Sequence, residues 1–286
     1  MAFAVGTALN LGLVVAQVVY GLAAHSVALL ADAAHNFGDV LALLLAWGAA
    51  WMGQRLPSAR RTYGWGRGTI LAALVNAVVL LIGVGAIGVE AVHRLQAPAP
   101  VSGGMVIAVG LLGIAVNGVT AWLFSRGHDD LNIRAAFLHM AGDAAVSLGV
   151  VLAAGAIMAT GWVWLDPVAS LAIVVVIVIG TWGVLRDAVN LSLDGVPGQI
   201  SHAEVARYLA GLDGVEEVHD LHIWALSTTH IALTAHLVRA ETADDQGLIQ
   251  AAVRGLHERF AIDHATVQVE TRASAAACRL RPAEVI

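Results

Sequence analysis

The sequence has little charge, no lysine and one cysteine. Charged residues make up 13% of the 286 positions, whereas soluble domains carry about 25%. All 15 basic residues are arginine, and the formal net charge of −6 gives no indication that nucleic acid is a partner. The lone Cys278 excludes a disulfide framework and a cluster of thiolate ligands. Any metal chemistry is therefore expected to use histidine and carboxylate ligands.

Long apolar runs take the place of the missing charge. Six segments can each supply the roughly 20 residues that cross a bilayer: 3–24, 27–52, 69–95, 104–125, 134–160 and 165–190. The sequence therefore predicts an integral membrane protein whose residues 1–192 form an all-α, six-helix transmembrane domain. The first segment lacks the basic n-region of a signal peptide, so we interpret it as a membrane helix, with a cleaved signal as the alternative.

The arginines predict how the chain is oriented in the membrane. The loops that follow the second and fourth segments carry Arg55, Arg60, Arg61, Arg67, Arg126 and Arg134. The first, third and fifth loops carry almost none. Because cytoplasmic loops are enriched in basic residues, the second and fourth loops are expected inside the cell. Both termini would then be cytoplasmic, and the protein would span an inner or plasma membrane.

After about residue 191 the pattern becomes that of a small soluble domain, residues 195–272. Its predicted order is α-β-β-α-β, an α+β fold with helices on one face of a sheet. Helices are predicted near 201–211 and 243–260, and strands at 214–226, 230–238 and 264–270. Residues 273–286 are predicted to be a flexible tail.

Two membrane segments contain the same polar motif. The second holds HNFGD from His35 to Asp39, and the fifth holds HMAGD from His139 to Asp143. Residues four apart lie on one face of a helix, so two facing helices would bring two imidazoles and two carboxylates together. Ionisable groups at membrane depth normally mark a transport pathway. A single such pair can also satisfy itself within its own helix, which is the alternative for either copy.

The ligand types favour a zinc-like ion. Two nitrogens and two oxygens suit the tetrahedral geometry of zinc, and two carboxylates balance the charge of a divalent cation. Cadmium, cobalt and nickel are alternatives. Gly38 and Gly142 are expected to allow close helix approach. Asp32, a turn before His35, either lines the same cavity or caps the helix. Four buried amides are predicted to hydrogen-bond between helices: Asn10, Gln17, Asn76 and Asn117.

The soluble domain offers a second candidate metal site. Strand alternation places His236, His264 and Glu270 on one face of the predicted sheet, away from the apolar core. Zinc accepts that set of ligands. The alternative is that these are ordinary exposed polar positions. His219 shares its parity with apolar neighbours and is predicted to be a core histidine.

These segments together resemble a known family. The resemblance is carried by SVALLADAAHNFGDVLAL (26–43), RRTYGWGRGTILAAL (60–74), LNIRAAFLHMAGDAAVSLGV (131–150), WLDPVASL (164–171) and VHDLHIWALS (218–227). It is to the cation diffusion facilitators, specifically the bacterial zinc-exporting type. It implies a homodimer with a metallochaperone-like cytoplasmic domain, and exchange of cytoplasmic metal for external protons. It also places the transport ligands at His35, Asp39, His139 and Asp143.

The sequence departs from the family pattern in its loops. The histidine-rich N-terminal extension and the long histidine-rich loop of many relatives are missing here. Gly68 and Thr69 stand where relatives often carry glutamate. The second cytoplasmic loop has no cluster of histidine and aspartate. Metal capture by these loops is therefore not expected.

Two other functions are alternatives to zinc efflux. An intramembrane metalloprotease would need HExxH, and HERFA (257–261) lacks the second histidine. A passive channel would need weak or multiple sites so that ions can leave. The sequence therefore predicts a transporter and not an enzyme: a zinc/proton antiporter that works by alternating access, with no cofactor, zinc as the transported ion and protons as the counter-ion. A structural zinc ion is possible in the cytoplasmic domain.

Overall fold

The computed structural model describes residues 2–53, 57–124, 131–240 and 244–281. Within its helices, the side chains of several residues, including all of 131–139, lie outside the description. The described chain forms two compact units. One consists of Met1–Ala46 and Val75–Val184, and the other of Trp47–Leu74 and Leu185–Ile286. Each unit is described by itself.

Six long helices confirm the predicted membrane segments. They are α1 (Ala2–Ala24), α2 (Val27–Gly53), α3 (Gly68–Gln96), α4 (Gly103–Phe124), α5 (Leu131–Thr160) and α6 (Leu165–Ser192). Within the described residues, all but α2 contain a continuous stretch long and apolar enough to cross a membrane. The 27 residues of α2 provide the length, but several of its side chains lie outside the description.

The first unit packs through small residues and turns large ones outward. Helix α4 packs against both α1 and α5. A side chain on Gly110 would lie 2.5 Å from Val151 of α5, so this glycine allows the two helices to approach closely. Ile82, Leu152 and Ile179 are more than half exposed, which suits a surface that faces lipid.

The turn between α1 and α2 is held by side chains from two other helices. The Asp166 carboxylate of α6 accepts hydrogen bonds from the Ser26 hydroxyl and from the Val27 amide, the latter at 2.7 Å. Arg94 of α3 donates to the His25 carbonyl at 2.6 Å and pairs with Glu90 at 2.8 Å. The Asp166 carboxylate therefore caps the orphan amides at the start of α2.

The soluble part of the second unit is an α+β domain. Its elements are α7 (His202–Ala210), β1 (Val215–Ala225), β2 (Ile231–Arg239), α8 (Asp245–Phe260) and β3 (His264–Glu270). In the sheet β1-β2-β3, β1 pairs antiparallel with β2, and β2 pairs parallel with β3. This confirms the predicted α-β-β-α-β order. Inward side chains of β2, such as Leu233 and Leu237, pack against Leu209 of α7 and Leu256 of α8.

A further helix, α9 (Arg272–Ala277), lies in the segment that was predicted to be flexible. Thr271 and Ser274 form a reciprocal capping box at its start. Beyond it, Arg281 donates two hydrogen bonds to Glu217 of β1, at 2.9 and 2.6 Å. For residues 273–281 the structure therefore differs from the prediction, because these anchors depend on β1, which is more than 50 residues away in the sequence; residues 282–286 lie outside the description.

The loop before α3 also contacts the soluble domain within this unit. The Thr69 hydroxyl accepts a hydrogen bond from the Thr228 amide at 3.0 Å. Arg67 pairs with Asp194, and Tyr63 meets the ring of His264 edge-on at 5.4 Å between centroids. A side chain on Gly66 would lie 2.8 Å from the Leu226 carbonyl. This position therefore requires glycine.

Candidate metal centres

Helices α2 and α5 bring three of the four predicted membrane ligands together. The His35 Nε2 atom lies 2.9 Å from Asp143 Oδ1. Ligand atoms of His35, Asp39 and Asp143 all lie within 4.8 Å of one another. His139 is part of α5, one turn before Asp143, but its side chain lies outside the described residues. The spacing of four residues places His139 on the same face of α5 as Asp143, and its role as a ligand stays a prediction.

The two glycines of the motifs have different surroundings. A side chain on Gly38 would lie 2.8 Å from Leu80 of α3, so Gly38 allows a close approach as predicted. Among the residues that the structure describes, a side chain on Gly142 would meet nothing within 4 Å. The expectation of tight packing at Gly142 is therefore wrong in this structure.

A buried polar network lies one helical turn from the membrane ligands. Asp32 Oδ2 accepts hydrogen bonds from Gln17 Nε2 at 2.6 Å and from Ser147 Oγ at 3.0 Å. Asn36 Nδ2 donates to Gln17 Oε1 at 3.0 Å. Asp32 therefore lies inside the bundle, and Asp166 takes the capping role at the start of α2.

The interhelical hydrogen bonds predicted for the buried amides are confirmed only for Gln17. Among the residues that the structure describes, neither side-chain atom of Asn117 has a hydrogen-bond partner. The same holds for the Oδ1 atoms of Asn10 and Asn76.

The soluble domain contains a second cluster of metal-ligating side chains. Glu270 Oε1 lies 3.0 Å from His236 Nδ1, and Glu270 Oε2 lies 3.5 Å from His219 Nε2. Cys278 Sγ lies 3.8 Å from His236 Nδ1. One ligand atom from each of these four residues falls within 4.8 Å of all the others. The predicted pair of His236 and Glu270 is thus brought together, with two residues that the sequence analysis did not assign.

The sheet register explains this cluster. His219 of β1 is directly opposite His236 of β2, and His236 is opposite Gln268 of β3. Glu270 follows two residues later on the same face. Cys278 ends α9, which contacts β2 and β3. His219 is buried as predicted. Its ring lies 5.1 Å from the ring of His236, so it also belongs to the polar cluster and not to the apolar core alone.

The structure does not bring His264 to this cluster. It is paired with Ala232 at the opposite end of β3 from Glu270, and six residues of strand separate the two by about 20 Å. His264 lies on the same face of β3 as Glu270, as the alternation predicts, but its position along the strand places it against Tyr63. Cys278 was missed because it lies in the segment predicted to be flexible.

The second cluster has the chemistry of a zinc site. Within the described chain, Glu270 Oε2 and both ring nitrogens of His219 are buried without a hydrogen-bond partner. Buried polar atoms are normally paired, so these atoms are suited to a cation. Two imidazoles, a carboxylate and a thiolate match the tetrahedral N, O and S coordination that zinc accepts.

Comparison with family models covers nearly the whole chain. Residues 3–191 match the cation efflux transmembrane domain, and residues 197–272 match the cytoplasmic domain of cation efflux proteins.

Individual relatives agree with these matches. The chain is 37% identical to the zinc transporter ZitB of Escherichia coli (strain K12), over 91% of this chain and 83% of that protein. It is 32% identical to the cadmium, cobalt and zinc/H(+)-K(+) antiporter of Bacillus subtilis (strain 168), over 92% and 86%. A solved structure, the metal-bound C-terminal domain of CzcD from Cupriavidus metallidurans, is 33% identical over 25% of this chain and 99% of that chain, with a TM-score of 0.24. This multi-pass membrane protein belongs to the cation efflux, or cation diffusion facilitator, family.

Proposed function

We propose that this protein exports zinc by exchanging it for protons through alternating access. The observation that carries the proposal is the convergence of His35, Asp39 and Asp143 from α2 and α5 in a chain of the cation efflux family. Relatives named as a zinc transporter and as a cadmium, cobalt and zinc antiporter support a divalent substrate. The same ligands can also bind cobalt, cadmium or nickel, because ligand type alone separates these ions from zinc only weakly.

The ligand set explains how metal and protons exclude each other. Zinc binds deprotonated imidazoles, so metal and protons compete for His35 and, in the proposed set, for His139. Asp39 and Asp143 offset the charge of the ion while it is away from water. When protons replace the metal, the empty site carries less uncompensated negative charge. One site can therefore carry zinc in one direction and protons in the other.

We assign residues 1–192 to transport and residues 195–272 to regulation and homodimerisation. Cytoplasmic termini are part of the proposal, and two observations support them: the family description of the second region as a cytoplasmic domain and the arginine distribution among the loops. In this domain His219, His236, Glu270 and Cys278 would hold a zinc ion that joins β1, β2, β3 and the segment after α9. Such an ion would fix the domain's shape and so modulate transport, but it would not be carried.

The direct test is zinc uptake into inverted membrane vesicles. Asp143→Ala is expected to abolish uptake, while Asp187→Ala, which changes an exposed carboxylate of α6 outside the site, is expected to leave uptake at the wild-type level. Both variants should be present in the membrane in equal amounts. Wild-type flux in Asp143→Ala would refute the membrane site.

A further inference from the structure

Unpaired amide groups are buried where α1 and α4 pack together. Asn117 of α4 is fully buried, at 0% exposure, and Asn10 of α1 is 5% exposed. In the described part of the chain, both side-chain polar atoms of Asn117 and the Oδ1 atom of Asn10 lack a hydrogen-bond partner. Polar groups in a membrane bundle are costly unless protein or ordered water satisfies them. These two residues therefore point to a hydrated interior.

Helix geometry arranges the amides in one column. The Ser102 amide before α4 donates to the Ala24 carbonyl at the end of α1, so the two helices run antiparallel. A side chain on Gly113 of α4 would lie 3.5 Å from Gln17 Nε2 of α1, which sets these residues at the same level. Asn117 is four residues further along α4, which puts it about 6 Å from that level toward the start of α1. Asn10 is seven residues earlier in α1, about 10 Å from that level in the same direction.

The column leads to the polar network beside the metal site. Gln17 donates to Asp32 Oδ2, whereas Asp32 Oδ1 is buried and unpaired among the described residues. Asp32 is one turn before His35 on α2. Unpaired polar atoms thus recur from Asp32 to Asn117 to Asn10.

We propose that a file of water molecules fills this column and conducts protons between the Asp32 network and the membrane face at which α1 begins. The proposal builds on the proton antiport proposed above. Water both donates and accepts, so it satisfies the oxygen and the nitrogen of Asn117 together. Residues 10–17 of α1 and 113–117 of α4 include three amide side chains and no carboxylate, which suits water and a hopping proton better than a divalent ion. Metal and protons would therefore reach the centre by different routes.

Cysteine accessibility tests the water directly. Cys278→Ala removes the one native thiol, and Asn117→Cys and Asn10→Cys are then made singly in the full-length protein in vesicles. Leu112→Cys, on the half-exposed apolar side of α4, is the lipid-facing control, and Ala97→Cys, in an exposed loop, is the aqueous control. A small cationic methanethiosulfonate reagent should modify the two column cysteines at least about tenfold faster than Leu112→Cys, because only a hydrated thiol forms the reactive thiolate.

The water file should be open to one face of the membrane. The column cysteines should react from the face where α1 begins and more slowly from the other face. If Asn10→Cys and Asn117→Cys both react as slowly as Leu112→Cys, the water file is refuted. Because cysteine labelling does not depend on transport, its result tests the water file even if the proton antiport proves wrong.

A second experiment asks whether the water carries the transported proton. Asn117→Leu should lower zinc-driven proton movement about tenfold, a barrier increase of about 1.4 kcal/mol, with zinc affinity unchanged in calorimetry on purified protein. Val119→Leu, on the exposed side of α4, is the matched control and should behave as wild type. Normal proton movement in Asn117→Leu would overturn the assigned route. Absence of zinc-driven proton movement in the wild-type protein would instead refute the antiport.

Discussion

His35 and Asp143 are 108 positions apart in the sequence, yet His35 Nε2 lies 2.9 Å from Asp143 Oδ1. The contact joins α2 to α5 in the first compact unit. An imidazole and a carboxylate inside a membrane bundle are costly unless they pair with each other or bind a shared ion. The contact between His35 and Asp143 therefore favours a role in transport.

The fourth ligand can be tested although its side chain lies outside the described residues. We expect His139→Ala and His35→Ala to weaken zinc binding to a similar degree, because each removes one of two nitrogen donors from a four-ligand set. His93→Ala, an exposed histidine at the end of α3, is the control and should bind like wild type. The measurement is zinc affinity by calorimetry on purified protein. Loss in His35→Ala alone would leave His139 out of the site.

Metal selectivity is expected to depend on His35. Replacing it in His35→Asp exchanges a nitrogen donor for an oxygen donor and adds negative charge, which relaxes the preference for a small tetrahedral ion. We expect the ratio of cadmium to zinc transport to rise in a competition assay. His35→Gln, which keeps the site neutral at this position, should reduce both fluxes without favouring cadmium. An unchanged ratio in His35→Asp would show that another residue selects the metal.

The cytoplasmic cluster predicts opposite outcomes for two residues of the soluble domain. In a background with the membrane site disabled by Asp39→Ala and Asp143→Ala, Cys278→Ser should lower the affinity of the remaining zinc site, because a thiolate ligand is lost. His264→Ala should leave it unchanged, since His264 contacts Tyr63 instead of the cluster. Zinc bound per chain, measured at several free zinc concentrations, separates the two. Equal loss in both variants would contradict the cluster of four residues.

How far the sequence predicted the structure depends on the range of the interactions. The membrane helices could be located because apolar residues run along each segment of the sequence, and five of the six contain an apolar stretch of membrane-spanning length within the described residues. The pairing of His35 with Asp143 could be expected because one motif occurs twice. Residues such as Cys278 could not be placed, since α9 is fixed by contacts with distant strands. His264 shows the limit of strand alternation, which gives the face of a sheet but not the location along it.

The attachment of the segment after α9 should depend on pH. The Arg281 guanidinium, which donates to Glu217, lowers the pKa of that carboxyl below its ordinary value of 4.5. Since the pKa is lower in the folded state, the stabilisation is present above 4.5 and disappears as the pH falls through the folded pKa. The pair is exposed, so the effect should be small. Glu217→Gln should speed hydrogen exchange in 272–281 at neutral pH, and the difference from wild type should vanish once the pH has fallen below the folded pKa of Glu217.

Proton coupling is the prediction that most directly tests the mechanism. Zinc and protons compete for the imidazoles of the site, so a neutral cytoplasm favours zinc binding, and a more acidic exterior favours proton binding and zinc release. Collapsing an inward proton gradient with an ionophore should therefore slow zinc efflux. The measurement uses proteoliposomes with a pH dye inside and zinc added to the face equivalent to the cytoplasm; liposomes containing Asp143→Ala report the passive leak. Equal zinc flux with and without the gradient, and no dye response, would mean that the protein moves zinc as a uniporter or channel.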